Sequence, residues 1–268
     1  MSRPYAEVIG DPIAQSKSPA IHNFWLGKLG IDAEYRACHV ASDGLADYFA
    51  ARRADPAWRG CNVTMPHKQA AMAFLDRLDP LAEKVGAVNT IVPEARGLVG
   101  YNTDVRGFLE PLGDAGFEAV TVIGAGGAAR AVLAALADRG VRRVSLQNRS
   151  IAKGEALLAE FGLDGTVGEP GSAVPAAGLL VNTSALGMAG NPPLPEVERF
   201  VIDGGTVFDI VTTPLETELL QRARARGLRT IDGLSMLIGQ AAAAFEKFFG
   251  AAPPRDDGDA ELRKLLGA

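Results

Sequence analysis

The chain is poor in the residues that build metal and disulfide chemistry. Among 268 residues it has two cysteines, Cys38 and Cys61, and three histidines, His22, His39 and His67. The cysteines form no CxxC pair and the histidines no HExxH-like spacing, so neither a disulfide framework nor a bound metal is expected. An excess of positive charge is missing too: 27 Lys and Arg stand against 32 Asp and Glu, a net charge of −5. Nucleic acids and anionic membranes need a broad basic field, which this balance argues against, while a local cluster of donors can still hold a small anion. Residues 1–10 lack the basic start and apolar core of a signal peptide. The long uncharged run over residues 171–195 is broken by Pro, Gly and Asn, unlike a membrane helix. A soluble, cytoplasmic enzyme is therefore expected, with no nucleic-acid or membrane partner. With 47% hydrophobic and 22% charged residues, the chain can bury a sizeable core in one large domain or two modest ones.

Short β-like runs alternate with helical patterns in two sections, as in βαβ proteins. In the first, Tyr5-Ala6-Glu7-Val8-Ile9 reads as a strand. Ser18-Pro19 reads as N-cap and first-turn proline of a helix with apolar Ile21, Phe24, Trp25 and Leu29. Strands are expected at 34–40, 59–64 and 87–92, a helix at 42–53, and short helices at 67–74 and 80–85. The second section starts with a helix near Asp104. Ala119-Val120-Thr121-Val122-Ile123 is an apolar run of the kind buried on both faces. A helix at 128–139 closed by Gly140 follows, then strands at 143–147, 179–182 and 206–211. Helices are expected at 151–161, 215–226 and, rich in alanine, 234–249.

Gly124-Ala125-Gly126-Gly127-Ala128 joins the apolar strand directly to a helix. In that context small residues let a backbone approach a pyrophosphate, and the helix N-terminus offers free N–H groups; the plainer alternative is a tight strand-to-helix turn. The next strand ends in Asn148-Arg149-Ser150, with Lys153 beyond, where an NAD site would carry a carboxylate for the ribose 2′-hydroxyl. A guanidinium there clamps a 2′-phosphate instead, so NADP is the expected cofactor. Solvated cations at a helix start are the alternative, and an unfavourable one without an anion to bind.

Polar residues cluster in the first section. Asn62 and Thr64 share a strand face that would otherwise be apolar, which suggests ligand hydroxyls. Lys68 follows Met65-Pro66, where it either reaches the same place or is solvated at a helix start. Asn89-Thr90 interrupts an apolar strand. By propensity alone, Ser18 and Asp104 are helix N-caps.

Taken together, these segments resemble the shikimate dehydrogenase family over essentially the whole chain. The resemblance is carried by Gly10-Asp11-Pro12-Ile13-Ala14-Gln15-Ser16-Lys17-Ser18-Pro19, Asn62-Val63-Thr64-Met65-Pro66-His67-Lys68, Gly86-Ala87-Val88-Asn89-Thr90 and Asn102-Thr103-Asp104. The glycine-rich turn, Asn148-Arg149-Ser150 and Asp232-Gly233-Leu234-Ser235-Met236-Leu237 complete it. It implies a two-domain α/β fold: a substrate domain over residues 1–102, completed by 234–268, and a Rossmann-like, doubly wound NADP domain over 103–233. It implies that Lys68 and Asp104 form the catalytic pair, that Ser16 and Ser18 hold a substrate carboxylate, and that Asn62, Thr64, Asn89 and Gln240 hold its hydroxyls and ring. Gly124, Ala125, Gly126, Gly127, Ala128, Asn148, Arg149, Ser150, Lys153, Ile210 and Gly233 would line the NADP site.

The implied reaction is the NADPH-dependent, reversible reduction of 3-dehydroshikimate to shikimate, on the route to chorismate and the aromatic amino acids, by a monomer or homodimer. The residue types suit it: an alkoxide forming on hydride transfer needs a proton, which a lysine can supply, and a carboxylate beside that lysine favours its ammonium form. Two positions depart from the family pattern. Thr212 stands where a substrate-contacting tyrosine is usual, and Val105 where glycine is common. Thr212 keeps open a paralogous quinate or aminoshikimate dehydrogenase. A non-catalytic NADP-binding sensor is a third alternative, against which the retained Lys68 and Asp104 argue.

Overall fold

In the computed structural model, which describes residues 3–267, Tyr5–Gly10 forms a strand (β1) buried at every position. Such a strand needs neighbours on both sides. It has them in β2 (Glu34–His39) and β3 (Trp58–Val63), both parallel to it. Helices α1 (Ser18–Leu29) and α2 (Leu45–Arg53) carry the chain between these strands. Beyond β3 the sheet turns antiparallel through β5 (Thr90–Glu94) and β6 (Gly97–Tyr101), with the two-residue β4 (Arg77–Leu78) at the far edge, giving the order β2-β1-β3-β5-β6-β4. The helix α3 (Pro80–Val85) is capped by Asp79, whose carboxylate accepts from the Leu81 N–H at 3.0 Å.

From α4 (Asp104–Leu112) onward strands and helices largely alternate. β7 (Ala119–Ile123), α5 (Gly127–Asp138), β8 (Arg143–Gln147), α6 (Ile151–Glu160) and β9 (Asp164–Gly168) form one half. β10 (Ala177–Asn182), β11 (Val201–Asp209), α7 (Glu218–Ala225) and β12 (Arg229–Ile231) form the other. The strands are all parallel in the order β12-β11-β10-β7-β8-β9, a doubly wound sheet whose direction reverses between β7 and β10. The chain ends in α8 (Gly233–Phe249) and α9 (Asp256–Leu265). It divides into two compact units, Met1–Arg106 with Ile238–Ala268, and Gly107–Leu237. Those divisions lie a few residues beyond 102 and 233, so the start of α4 and the start of α8 belong to different units from those expected. Among the described residues no helix is long and apolar enough to cross a membrane, and no group of His, Cys, Asp and Glu could hold a metal.

Several expected elements differ. Ser18 is the first residue of α1, not its cap; Lys17 takes that position, and the Ser16 hydroxyl accepts from the Ser18 N–H at 3.3 Å. Asp104 likewise opens α4, with its carboxylate turned to Lys68. The strand expected from residue 87 starts at Thr90; before it, the Val88 N–H bonds to the Lys68 carbonyl, outside the sheet. The helix expected at 67–74 is a 3-10 turn, Ala70–Phe74.

Candidate functional site

In the first unit, β1 lies between β2 and β3, so strand order reverses at β1, and the carboxyl ends of strands at such a point are where sheets of this kind bind ligands. Two motifs leave those ends together. The Thr64 N–H bonds the Ile9 carbonyl at 2.9 Å and the Asp11 N–H the Met65 carbonyl at 3.2 Å, which ties the loop of Ser16 and Ser18 to the loop of Thr64 and Lys68. Gly10 permits this closeness, because a Cβ there would meet Thr64 Cγ2 at 2.6 Å. Ser18 is buried, and its hydroxyl makes no hydrogen bond among the described residues. Beside it, burial pushes the Lys17 ammonium down from its ordinary pKa.

Lys68 Nζ donates to Asp104 Oδ2 at 2.6 Å, with side-chain exposures of 17% and 6%. The other carboxylate oxygen of Asp104 accepts from Asn89 Nδ2 at 2.9 Å. Asn89 Nδ2 also lies 2.9 Å from Thr103 Oγ1 and 3.1 Å from Gln240 Oε1. Asn89 Oδ1 accepts from the Thr103 N–H at 2.7 Å, while the Asn102 carboxamide accepts from the Asp104 N–H at 3.1 Å. A carboxylate so surrounded keeps both oxygens bonded although it is buried, which is the condition for holding charge there. The pair leaves ammonium N–H groups of Lys68 free to donate to a carbonyl or alkoxide oxygen.

In the second unit, Gly124-Ala125-Gly126 turns from β7 into α5. Gly124 has φ +101°, and a Cβ on it would meet Thr183 Oγ1 at 2.8 Å, so the turn needs glycine there for packing. Gly126 differs: a Cβ would meet nothing within 4 Å, and as N-cap of α5 it gives no side-chain cap to the first turn, which also carries no acid. An uncovered helix N-terminus beside an open glycine fits a pyrophosphate. After β8, Arg149 and Lys153 are exposed, and neither side chain has a partner among the described residues. Asn148 Nδ2 donates to the Ser150 carbonyl at 2.9 Å, and the Ser150 hydroxyl caps α6. Two unpaired cations at a helix start suit a dianionic phosphate.

Ile210 and Thr212 occupy the loop after β11, which is tied down by the buried Asp209. Its carboxylate accepts from the Thr217 hydroxyl at 2.7 Å, the Asn182 amide at 2.9 Å and the Val211 N–H at 3.1 Å. Burial pushes the Asp209 carboxyl above its usual range against those three bonds. Gly233 packs under the same loop, where a Cβ would meet the Ile210 and Val211 carbonyls at 2.4 Å.

Three family descriptions match the chain. The shikimate dehydrogenase substrate binding domain covers residues 8–91, the shikimate / quinate 5-dehydrogenase residues 110–167, and the shikimate 5'-dehydrogenase C-terminal domain residues 233–263. A shikimate dehydrogenase (NADP(+)) of Sphingopyxis alaskensis is 57% identical over 270 residues, covering 99% of this chain and 97% of that protein. The chain belongs to the shikimate dehydrogenase family. The crystal structure of the Thermus thermophilus shikimate 5-dehydrogenase, in complex with NADP(H) and shikimate, superposes with a TM-score of 0.84 at 37% identity, over 98% of this chain and 99% of that one. The ligand-free 5-ketofructose reductase of a Gluconobacter species superposes at 0.87 with 29% identity, over 99% of each chain. Membership of the shikimate dehydrogenase family makes this chain an oxidoreductase acting on a CH–OH group.

Of the residues expected at the first site, Lys68, Asp104, Asn89 and Gln240 meet in one hydrogen-bonded group. Asn62 joins that group from below: it is 5% exposed, and its amide is spent on Tyr35, Thr90 and the Asn89 carbonyl. Sequence reasoning assigned no role to Tyr35, Thr90 or Thr103. Thr90 and Thr103 lie inside recognised motifs, whereas nothing local marks Tyr35 among strand residues.

Proposed function

We propose that the protein catalyses the NADPH-dependent, reversible reduction of 3-dehydroshikimate to shikimate. The observation that carries this reading is the 2.6 Å contact between Lys68 and Asp104, in a chain of this family. When bound, the cofactor supplies hydride to the ketone carbon. Lys68 donates the proton to the oxygen that becomes the alcohol, and its charge stabilises the developing alkoxide before transfer. Asp104 holds the ammonium in place and balances its charge. Ser16 and Ser18 bind the substrate carboxylate, with Thr64, Asn89 and Gln240 against hydroxyls and ring. Gly124 to Ala128 accept the pyrophosphate, and Asn148, Arg149, Ser150 and Lys153 the 2′-phosphoribose, with Ile210 and Gly233 beside the nicotinamide end. The enzyme works in the cytoplasm as a monomer or homodimer.

Thr212, in place of the family's usual tyrosine, favours a second reading in which quinate or an aminoshikimate is the better substrate. Initial rates with shikimate and quinate, each with NADP and NAD, test both. The first reading expects shikimate with NADP to give the highest kcat/KM. A preference for quinate would establish the second, and NADP binding with no turnover in any combination would defeat the first. Thr212→Tyr should then lower the KM for shikimate; no change in any constant would remove position 212 from substrate recognition.

A further inference from the structure

We propose that Tyr35, Asn62 and Thr90 are positioning residues, which fix the orientation of the Asn89 amide and through it the Asp104 carboxylate. The inference rests on the reading of Lys68 and Asp104 as the catalytic pair. It also moves Asn62 from contact with substrate to support of the residues that make that contact.

The chain of bonds has a direction. Tyr35 is 1% exposed, and its hydroxyl donates to Asn62 Oδ1 at 2.6 Å. A hydroxyl donor at that point requires the oxygen, not the nitrogen, of the Asn62 amide. The Asn62 nitrogen therefore faces the other way, where it donates to the Asn89 carbonyl and to Thr90 Oγ1, each at 3.0 Å. Thr90 Oγ1 has one proton. Because it accepts from Asn62, that proton is free to go to Asn89 Oδ1 at 3.2 Å. Asn89 then turns its oxygen toward Thr90 and Thr103, and its nitrogen toward Asp104 Oδ1 at 2.9 Å. This leaves Asp104 Oδ2 for Lys68.

Burial gives the arrangement its consequence. Asn62, Asn89 and Thr90 are 5%, 2% and 0% exposed, so water cannot replace a lost partner. The start of the chain is also held by shape. The His22 ring stacks on the Tyr35 ring at 3.9 Å between centroids and 5° between planes, and Phe248 flanks Tyr35 at 6.2 Å. Among the described residues Asn62 is the one hydrogen-bond partner of the Tyr35 hydroxyl, so its proton goes there. A wrong orientation anywhere along the chain would set N–H against N–H or oxygen against oxygen in a dry site. The Asn89 carboxamide would then lose its grip on Asp104.

The test uses the full-length protein and shikimate oxidation with NADP. It compares Thr90→Val, Thr90→Ser and Tyr35→Phe with Lys68→Ala, and takes Tyr48→Phe as control. Tyr48 also gives a buried hydroxyl to a side chain, Glu7 at 2.8 Å, but stands outside the chain of bonds. Thr90→Val and Tyr35→Phe should each lower kcat by roughly three- to tenfold, the worth of one hydrogen bond, with the shikimate KM nearly unchanged. Thr90→Ser should restore most of the rate, and Tyr48→Phe should cost thermal stability without lowering kcat. Should Thr90→Val fail to fold, Tyr35→Phe decides alone, since it removes one oxygen from an otherwise intact ring stack. Unchanged kcat in the variants of the chain, with turnover abolished in Lys68→Ala, would overturn the positioning role and leave the catalytic pair standing. A rise in shikimate KM at constant kcat would return Asn62 to direct contact with substrate. Near-normal turnover in Lys68→Ala would overturn the pair and this inference together.

Discussion

Around Asn89, the side chains of Thr90, Thr103, Asp104 and Gln240 bond to one another within the protein, and Lys68 completes the group through Asp104. The second unit is the reverse. Gly126 has open space where a side chain would be, α5 begins without a side-chain cap, and Arg149 and Lys153 have no partners among the described residues. One region has spent its polar groups on geometry, while the other keeps an unmet demand for negative charge. Pre-ordered dipoles act where charge develops during reaction, whereas unpaired cations act on any anion that binds. Damage to the first should therefore appear in rate, and damage to the second in affinity.

The largest expected effect tests the first half of that contrast. Lys68→Ala removes the proton donor and should lower kcat by about a hundredfold or more, while NADP binding measured by fluorescence titration survives. Loss of NADP binding in this variant would break the separation of the two regions. Arg149→Ala tests the other half: the KM for NADP should rise by roughly ten- to a hundredfold with NAD use nearly unchanged, as for one charge-assisted contact. Equal losses with both cofactors would remove the 2′-phosphate from Arg149.

The two turn glycines sharpen the contrast within the second unit. Gly124→Ala forces a side chain onto a backbone of φ +101° and against Thr183, and should destabilise by at least about 1–2 kcal/mol in urea unfolding. Gly126→Ala should leave stability within about 0.5 kcal/mol and weaken NADP instead. Equal loss of stability in both would mean that Gly126 serves packing alone.

His22 supplies the smallest effect at neutral pH and a larger one in acid. The ring is wholly buried, neither nitrogen has a hydrogen-bond partner among the described residues, and burial pushes its pKa down to about 3 from 6.5. The unfolded chain takes up that proton near pH 6.5 and the folded one only near 3. Stability is thus fully present above 6.5 and falls as the pH drops, by up to about 1.4 kcal/mol per pH unit. His22→Phe should flatten this part of the stability curve between pH 6.5 and 4 and keep the stack on Tyr35. An acid dependence as steep as that of the unmutated protein would assign it to other groups.

Most of the second unit was legible because its signals are local. The run Ala119–Ile123 is buried as its apolar residues require, and Gly140 ends α5 with φ +77°. What escaped notice lacks such signals. β9 carries two glycines among five mostly exposed residues, and β12 has only three residues. The expected strand from residue 87 starts later for another reason: Ala87 and Val88 are buried like a strand, while the Val88 N–H bonds to the Lys68 carbonyl outside the sheet. Burial can be inferred from residue type, but the destination of an N–H cannot.

The site divides in the same way. Sequence by itself determined the strand–glycine–helix turn, the cation in place of a ribose-binding acid, and the motifs that mark the family, because each is read within a few residues. Read locally, it left Lys68 as a lysine at a helix start and Asp104 as a cap, and paired them through the family resemblance alone, since nothing in either segment refers to the other. The contacts themselves belong to the tertiary structure, which bonds Lys68 to Asp104 across 36 residues, sets Gln240 against Asn89 across 151, and puts the Tyr35 hydroxyl on Asn62. Such contacts have no period and no local propensity. They exist because burying these polar groups without partners would cost more than the fold can spare, and the partners within reach are brought there by the packing of distant segments.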